Sequence, residues 1–246
     1  MELNNNNNNN NKKIIINITK KYINKYEDFI EYLKKNYENE FYKNNNNIIE
    51  KISIIKNYLT TNEFEKILLN YPINKNLNNI IKINLTANNL NLIPKNISQL
   101  INLNHLILNN NKITEINFLS ELKNLEILEL KGNQLISING IFTNENNNKI
   151  KKLTVSCNLI KSINENMLNK NIFLEELGLF GNFLGDEKNI ENNKTILVEL
   201  CEILNKNFCN LKHIYIGGNH FSSIENLNDI IKNKIPKLIT IDGKNL

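Results

Sequence analysis

Leu125-Glu-Ile-Leu128-Glu-Leu130-Lys-Gly-Asn133-Gln-Leu135 decides how this chain is read. Numbered from Leu125, apolar residues stand at positions 1, 4, 6 and 11, and Asn stands at position 9. The same spelling recurs from Ile80 (Ile83, Leu85, Asn88, Leu90) and from Leu103 (Leu106, Leu108, Asn111, Ile113). It returns from Ile150 (Leu153, Val155, Asn158, Ile160), Leu174 (Leu177, Leu179, Asn182, Leu184) and Leu211 (Ile214, Ile216, Asn219, Phe221). Positions 4 and 6 alternate with polar neighbours, which predicts a short strand with one face buried. A phrase repeated at this interval is the signature of a solenoid, in which each unit buries its apolar face only against the next.

The phrase resembles the L-x-x-L-x-L-x-x-N-x-L repeat of the leucine-rich repeat superfamily. That resemblance implies a curved α/β solenoid with parallel strands on its concave face, and a protein-binding function. The stretches between the strands resemble different repeat types. Leu92-Ile93-Pro94 with Ile97 and Leu100 looks like the common x-I-P-x-x-I-x-x-L unit. Ile113 and Ile116 through Leu122 and Leu125 are similar to the short repeats of the protein phosphatase 1 regulatory subunit. The long fifth unit, Asn182-Phe-Leu-Gly185-Asp186-Glu187 with the stripe Ile196, Leu197, Leu200, Ile203 and Leu204, resembles a ribonuclease-inhibitor-type repeat with an α-helix. The ending Ile235-Pro236-Lys-Leu238-Ile-Thr-Ile241-Asp242-Gly243 looks like the P-x-L-x-x-L-D-G closing segment of intracellular members. These include the phosphatase-1 regulator, the spliceosomal A-prime protein and axonemal dynein light chain 1.

About a quarter of the residues are Asn, with Ile and Lys also abundant and Gly and Pro scarce. This is the bias of AT-rich codons, so only an Asn held at position 9 carries structural meaning. The formal net charge of +5 permits an acidic partner without demanding one. Cys157, Cys201 and Cys209 form neither a disulfide framework nor a metal-ligand spacing. No apolar signal region or membrane-length run is found, so the expectation is a soluble monomer of the cytoplasm or nucleus, not bound to membrane.

In chain order the expectation is three parts: a disordered Asn-rich tail over 1–17, a helical N-terminal cap over 18–79, and the repeat domain over 80–246. Within the cap, Tyr22, Tyr26, Phe29, Ile30, Leu33, Tyr37 and Phe41 fall at helical spacing, and the Asn run at 44–47 breaks it. Ile48, Ile49, Ile52, Ile55 and Leu59 make one stripe of a second predicted helix. Thr60 with Glu63 fits a capping box for a third, which Tyr71-Pro72 ends. Such a cap covers the bare edge of the first repeat; a separate docking module is the alternative.

Strand residues between the anchors face the concave surface. Most are polar and of mixed sign, but Phe180 and Tyr215 stand on neighbouring strands beside Gly178, Gly181, Gly217 and Gly218. Ile107 and Ile127 form a second apolar pair, and His105, Glu129 and His213 lie on the same arc. Exposed aromatics of this kind anchor interfaces. Equally, the two rings could pack locally or beneath a loop of the long unit. Catalysis is not expected: Cys157 sits two repeats from His105 and from His213, about 10 Å away at the strand spacing. No cofactor or metal site is expected. The Lys82, Lys151, Lys152 and Lys212 row is interrupted by Glu126, Glu129, Glu175 and Glu176, which argues against direct nucleic-acid binding. The function expected is a protein-interaction scaffold or regulatory subunit. The alternatives are a Ser/Thr phosphatase regulator and a protein component of a ribonucleoprotein.

Overall fold

The computed structural model describes residues 13–19, 23–38, 48–70, 73–117, 119, 121–142, 149–165, 168 and 171–246. The expected Asn tail through residue 11, the break at 44–47 and the stop at Tyr71-Pro72 lie outside these residues. Strands β1 (Lys13–Thr19), β2 (Ile48–Ile55), β3 (Lys82–Asn84), β4 (His105–Ile107), β5 (Ile127–Glu129), β6 (Lys152–Thr154), β7 (Glu176–Gly178), β8 (His213–Tyr215), β9 (Thr240–Ile241) and β10 (Lys244–Asn245) form one sheet in sequence order. All pairings are parallel except the last, β9 with β10. The chain is therefore a leucine-rich repeat α/β solenoid. Position-4 anchors face one another in unbroken register: Ile52, Ile83, Leu106, Leu128, Leu153, Leu177, Ile214 and Ile241. All eight are buried, as are the position-6 anchors from Ile54 to Ile216.

Position-9 Asn residues form a buried ladder. Each carboxamide oxygen accepts from the position-11 N–H of the preceding repeat, as Asn111 does from Leu90, Asn133 from Ile113, Asn158 from Leu135, Asn182 from Ile160 and Asn219 from Leu184. Each Nδ2 donates to the position-6 carbonyls of its own and the preceding repeat, for Asn133 those of Leu130 and Leu108. The ladder satisfies backbone groups where the chain leaves the sheet. Just before it, position 8 is left-handed in each unit from β2 to β8: Lys56, Ala87, Asn110, Gly132, Cys157, Gly181 and Gly218 all have φ between +55° and +69°.

The N-terminal region departs from the expected helical cap. Residues 13–17, expected in the tail, begin β1, and the predicted helix over 48–59 is the strand β2. Only α1 (Tyr26–Glu38) and α2 (Thr61–Leu69) are helical as expected. Region 18–79 is thus largely repeat: Ile49, Ile52, Ile54, Asn57 and Leu59 occupy positions 1, 4, 6, 9 and 11, and Asn57 Oδ1 accepts from Ile23 N at 2.9 Å. β2 also carries a bulge. Opposite the Ile14–Ile15 step of β1, β2 runs from Ile49 to Lys51, so Glu50 is an extra residue and breaks the period of two. Ile49 and Ile52 keep the ordinary interval of positions 1 and 4, and with Ile48 and Ile55 they imitate a helical stripe, although the run is rich in β-branched Ile. Thr60 does cap α2, accepting from Glu63 N; the Glu63 carboxylate reaches Tyr26 N instead of closing the box.

Side chains cover both edges of the sheet formed by the described residues. In this ladder the carbonyls at positions 3 and 5 accept from the preceding strand; among the described residues no strand precedes β1. Tyr37 and Tyr32 of α1 donate their hydroxyls to those carbonyls, of Ile15 and Asn17, each at 3.2 Å. At the other end Asp242 and Gly243, both with positive φ, make the two-residue turn between β9 and β10. The Asp242 carboxylate accepts from Ile216 N (2.8 Å), a donor that earlier repeats pair with the next strand, and from Gly217 N (3.0 Å). The long unit carries α3 (Asn193–Asn207), with Leu197, Leu200 and Leu204 buried, and α4 (Leu227–Lys234) follows β8.

Candidate functional site: the concave face

Every repeat strand from β3 to β6 and β8 shows one burial pattern, a buried position 4 between half-buried positions 3 and 5. The outward residues make the concave face. β7 differs, because its position 5 is Gly178, set in register between Thr154 and Tyr215. The missing side chain leaves a depression of about 260 Å³, lined by Gly178, Phe180, Tyr215, Thr154, Ser156, Glu176 and Lys131. A Cβ built on Gly178 would stand 3.0 Å from Ser156 Oγ and 3.1 Å from Thr154 Cγ2, so even Ala would press on the neighbours.

Phe180 and Tyr215 therefore meet at one hollow. The Phe180 ring lies over the next repeat, 3.4 Å from where side chains on Gly217 and Gly218 would begin, yet Phe180 remains 47% exposed. The local-packing and exposed readings both describe this ring. Tyr215 is half-buried. Ile107 on β4 and Ile127 on β5 are half-buried diagonal neighbours, apart from the hollow. Glu129 accepts from Asn109 Nδ2 at 2.7 Å, and His213 Nδ1 is 2.9 Å from Thr240 Oγ1. His105 Nδ1 is 2.6 Å from Asn104 Oδ1; burial first, then Lys82 and Lys51, hold its pKa below the ordinary value. The sequence places Gly178 beside the two rings, but the contributions of Ser156 and Lys131 escape it, because the hollow is framed from three repeats.

Charges along the arc pair across strands. Lys151 meets Glu126 at 3.0 Å, Lys212 meets Glu175 at 3.1 Å and Lys152 meets Glu176 at 3.1 Å. Among the described residues, three of the four lysines of the row are thus neutralised by the Glu residues that interrupt it, and Lys82 is not. A larger depression, about 820 Å³, opens where the chain leaves the strands, with Ile136, Leu159, Phe183, Ile196 and His220 among its lining. Its rim mixes Lys161 and Lys188 with Asp186 and Glu187, so it offers no net charge to select a partner.

Catalytic groups do not converge among the described residues. His105 and His213 lie on β4 and β8, two strands either side of the repeat holding Cys157. Burial pushes the Cys201 thiol up to about 12, which keeps it protonated. Among the described residues no group of three His, Cys, Asp or Glu is placed to hold a metal ion. Among them, too, no helix is long and apolar enough to cross a membrane.

No family model and no curated protein matches the sequence. Solved structures do match. An internalin from Listeria monocytogenes is similar over 80% of this chain and 48% of its own, at 22% identity and a TM-score of 0.54. A leucine-rich repeat protein of Leptospira interrogans is similar over 78% of this chain and 47% of its own, at 23% identity and a TM-score of 0.52. The leucine-rich repeat domain of APL1B matches over 80% of this chain and 50% of its own, at 18% identity and a TM-score of 0.53. The chain spans about half the length of these structures, and the likeness is one of fold.

Proposed function

We propose that this chain is a protein-interaction scaffold or regulatory subunit, and that it docks a segment of its partner on the concave face with an apolar side chain in the Gly178 hollow. The observation that carries this reading is Phe180, a large ring 47% exposed at the wall of a cavity of side-chain size. A ring so placed contributes little to folding and much to a complex. The three cysteines, all free, support an intracellular setting, cytoplasm or nucleus. The closing segment shared with the phosphatase-1 regulator does not favour that partner, because Asp242 and Gly243 are occupied in capping the sheet.

The test uses a partner recovered by affinity purification with the whole chain. Phe180→Ala with Tyr215→Ala weakens that complex by at least about 2 kcal/mol, while the unfolding midpoint falls only slightly through lost contact over Gly217 and Gly218. Full binding by the double variant overturns the reading. Loss of folding shows instead that the rings are core.

A further inference from the structure

The concave face is charged unevenly. From β5 to β8 its carboxylates are engaged: Glu176 with Lys152, and Glu129 with the Asn109 amide. On β2 and β3 the position-3 residues are Lys51 and Lys82, set directly opposite each other in register, with His105 next in line on β4. Neither lysine has an ion-pair partner among the described residues. Like charges directly opposite destabilise a sheet, so this ladder is an unmatched positive site. Lys131, at the rim of the Gly178 hollow, is likewise without an ion-pair partner among the described residues. Between ladder and hollow lie half-buried Ile107 and Ile127, an apolar floor.

Resting on the reading of the concave face as the binding surface, we propose that its occupant is an extended acidic peptide segment. Its carboxylates sit over Lys51 and Lys82, and a bulky apolar side chain enters the Gly178 hollow. From β3 to β7 is four strand steps, ~19 Å at the usual ~4.8 Å, which an extended chain covers in about six residues at ~3.3 Å each. The recognition element is then two or more Asp or Glu residues separated by about six residues from a Phe, Tyr, Leu or Met. Its backbone crosses the strands over Ile107 and Ile127. The salt links already made between Lys151, Lys152, Lys212 and their glutamates exclude a continuous cationic track, so a nucleic-acid backbone fits less well.

The experiment selects random peptides of about 12 residues on the immobilised whole chain, then measures the synthetic winners by fluorescence polarisation. The expected winners combine acidic and bulky apolar residues at that separation and lose affinity as salt is raised. Lys51→Gln with Lys82→Gln weakens them at least ~tenfold, as does Phe180→Ala with Tyr215→Ala, whereas Lys151→Gln changes binding less than ~twofold. Winners without acidic residues, or indifferent to Lys51 and Lys82 yet sensitive to Phe180, overturn this inference and leave the concave scaffold standing. Winners indifferent to both pairs overturn the scaffold reading as well. Failure to enrich any peptide, or capture of a labelled oligouridylate through Lys51 and Lys82 instead, also overturns the acidic-segment proposal.

Discussion

Replacing Asn133 by Ala removes one rung of the buried ladder. Asn133 is 7% exposed and makes three short bonds: it accepts from Ile113 N at 3.0 Å and donates to Leu108 O at 3.0 Å and Leu130 O at 2.9 Å. The Ala variant leaves all three backbone groups stranded between repeats. Each stranded group costs about 1 kcal/mol or more, and partial hydration at the turn recovers some of it, giving a loss of about 2–4 kcal/mol. Asn133→Asp is at least as damaging, because it keeps the acceptor but turns a carboxylate toward two carbonyls. The control is Asn124→Ala, whose exposed amide donates to the Ile101 carbonyl and whose loss costs under about 1 kcal/mol because water replaces it. Urea unfolding followed by circular dichroism separates the two. If Asn133→Ala unfolds within error of Asn124→Ala, the ladder is not what holds adjacent repeats together, and the argument from buried backbone groups fails.

Cys157 is a non-glycine residue at a left-handed position, so Cys157→Gly raises stability by about 1 kcal/mol, read from the urea midpoint. Tyr32→Phe with Tyr37→Phe uncovers the β1 carbonyls and promotes self-association through the edge strand, measured by sedimentation velocity. His105 has a pKa below its unfolded value, lowered by burial, Lys82 and Lys51 against Glu126 and Glu129. The unfolded chain thus binds the proton more readily. Stability falls as pH drops below the ordinary histidine value of about 6.5, and His105→Gln removes that part of the loss in midpoints compared above and below it.

The legible part of this fold was the part fixed by period. Asn88 through Asn219 stood out from an Asn-rich background because each follows two apolar anchors at constant spacing, and the structure gives every one of them the same bonds. The α3 helix and the Asp242-Gly243 closure were legible for the same reason, being local patterns. The first two units were not. The second spells the full phrase from Ile49 (Ile52, Ile54, Asn57, Leu59), but Ile48 and Ile55 beside these anchors complete a helical stripe that masks it. Counted from Ile16, the ninth position of the first unit falls on Lys21, so no Asn flagged β1. Phe180 and Tyr215 could be named from strand alternation alone. The hollow between them could not, since it depends on Gly178, Thr154, Ser156 and Lys131 meeting across three repeats. The Lys51–Lys82 ladder was hidden with β2 itself.

Whether a partner enters the concave face is read by site-specific photo-crosslinking. A photoreactive phenylalanine analogue replaces Tyr215 in one preparation and Leu159, exposed in the larger lateral depression, in another. Each is irradiated with the affinity-purified partner, and adducts are mapped by mass spectrometry. Adducts are expected from the Tyr215 position and none from the Leu159 position. Adducts from Leu159 alone would contradict concave docking and move the binding surface to the side of the solenoid.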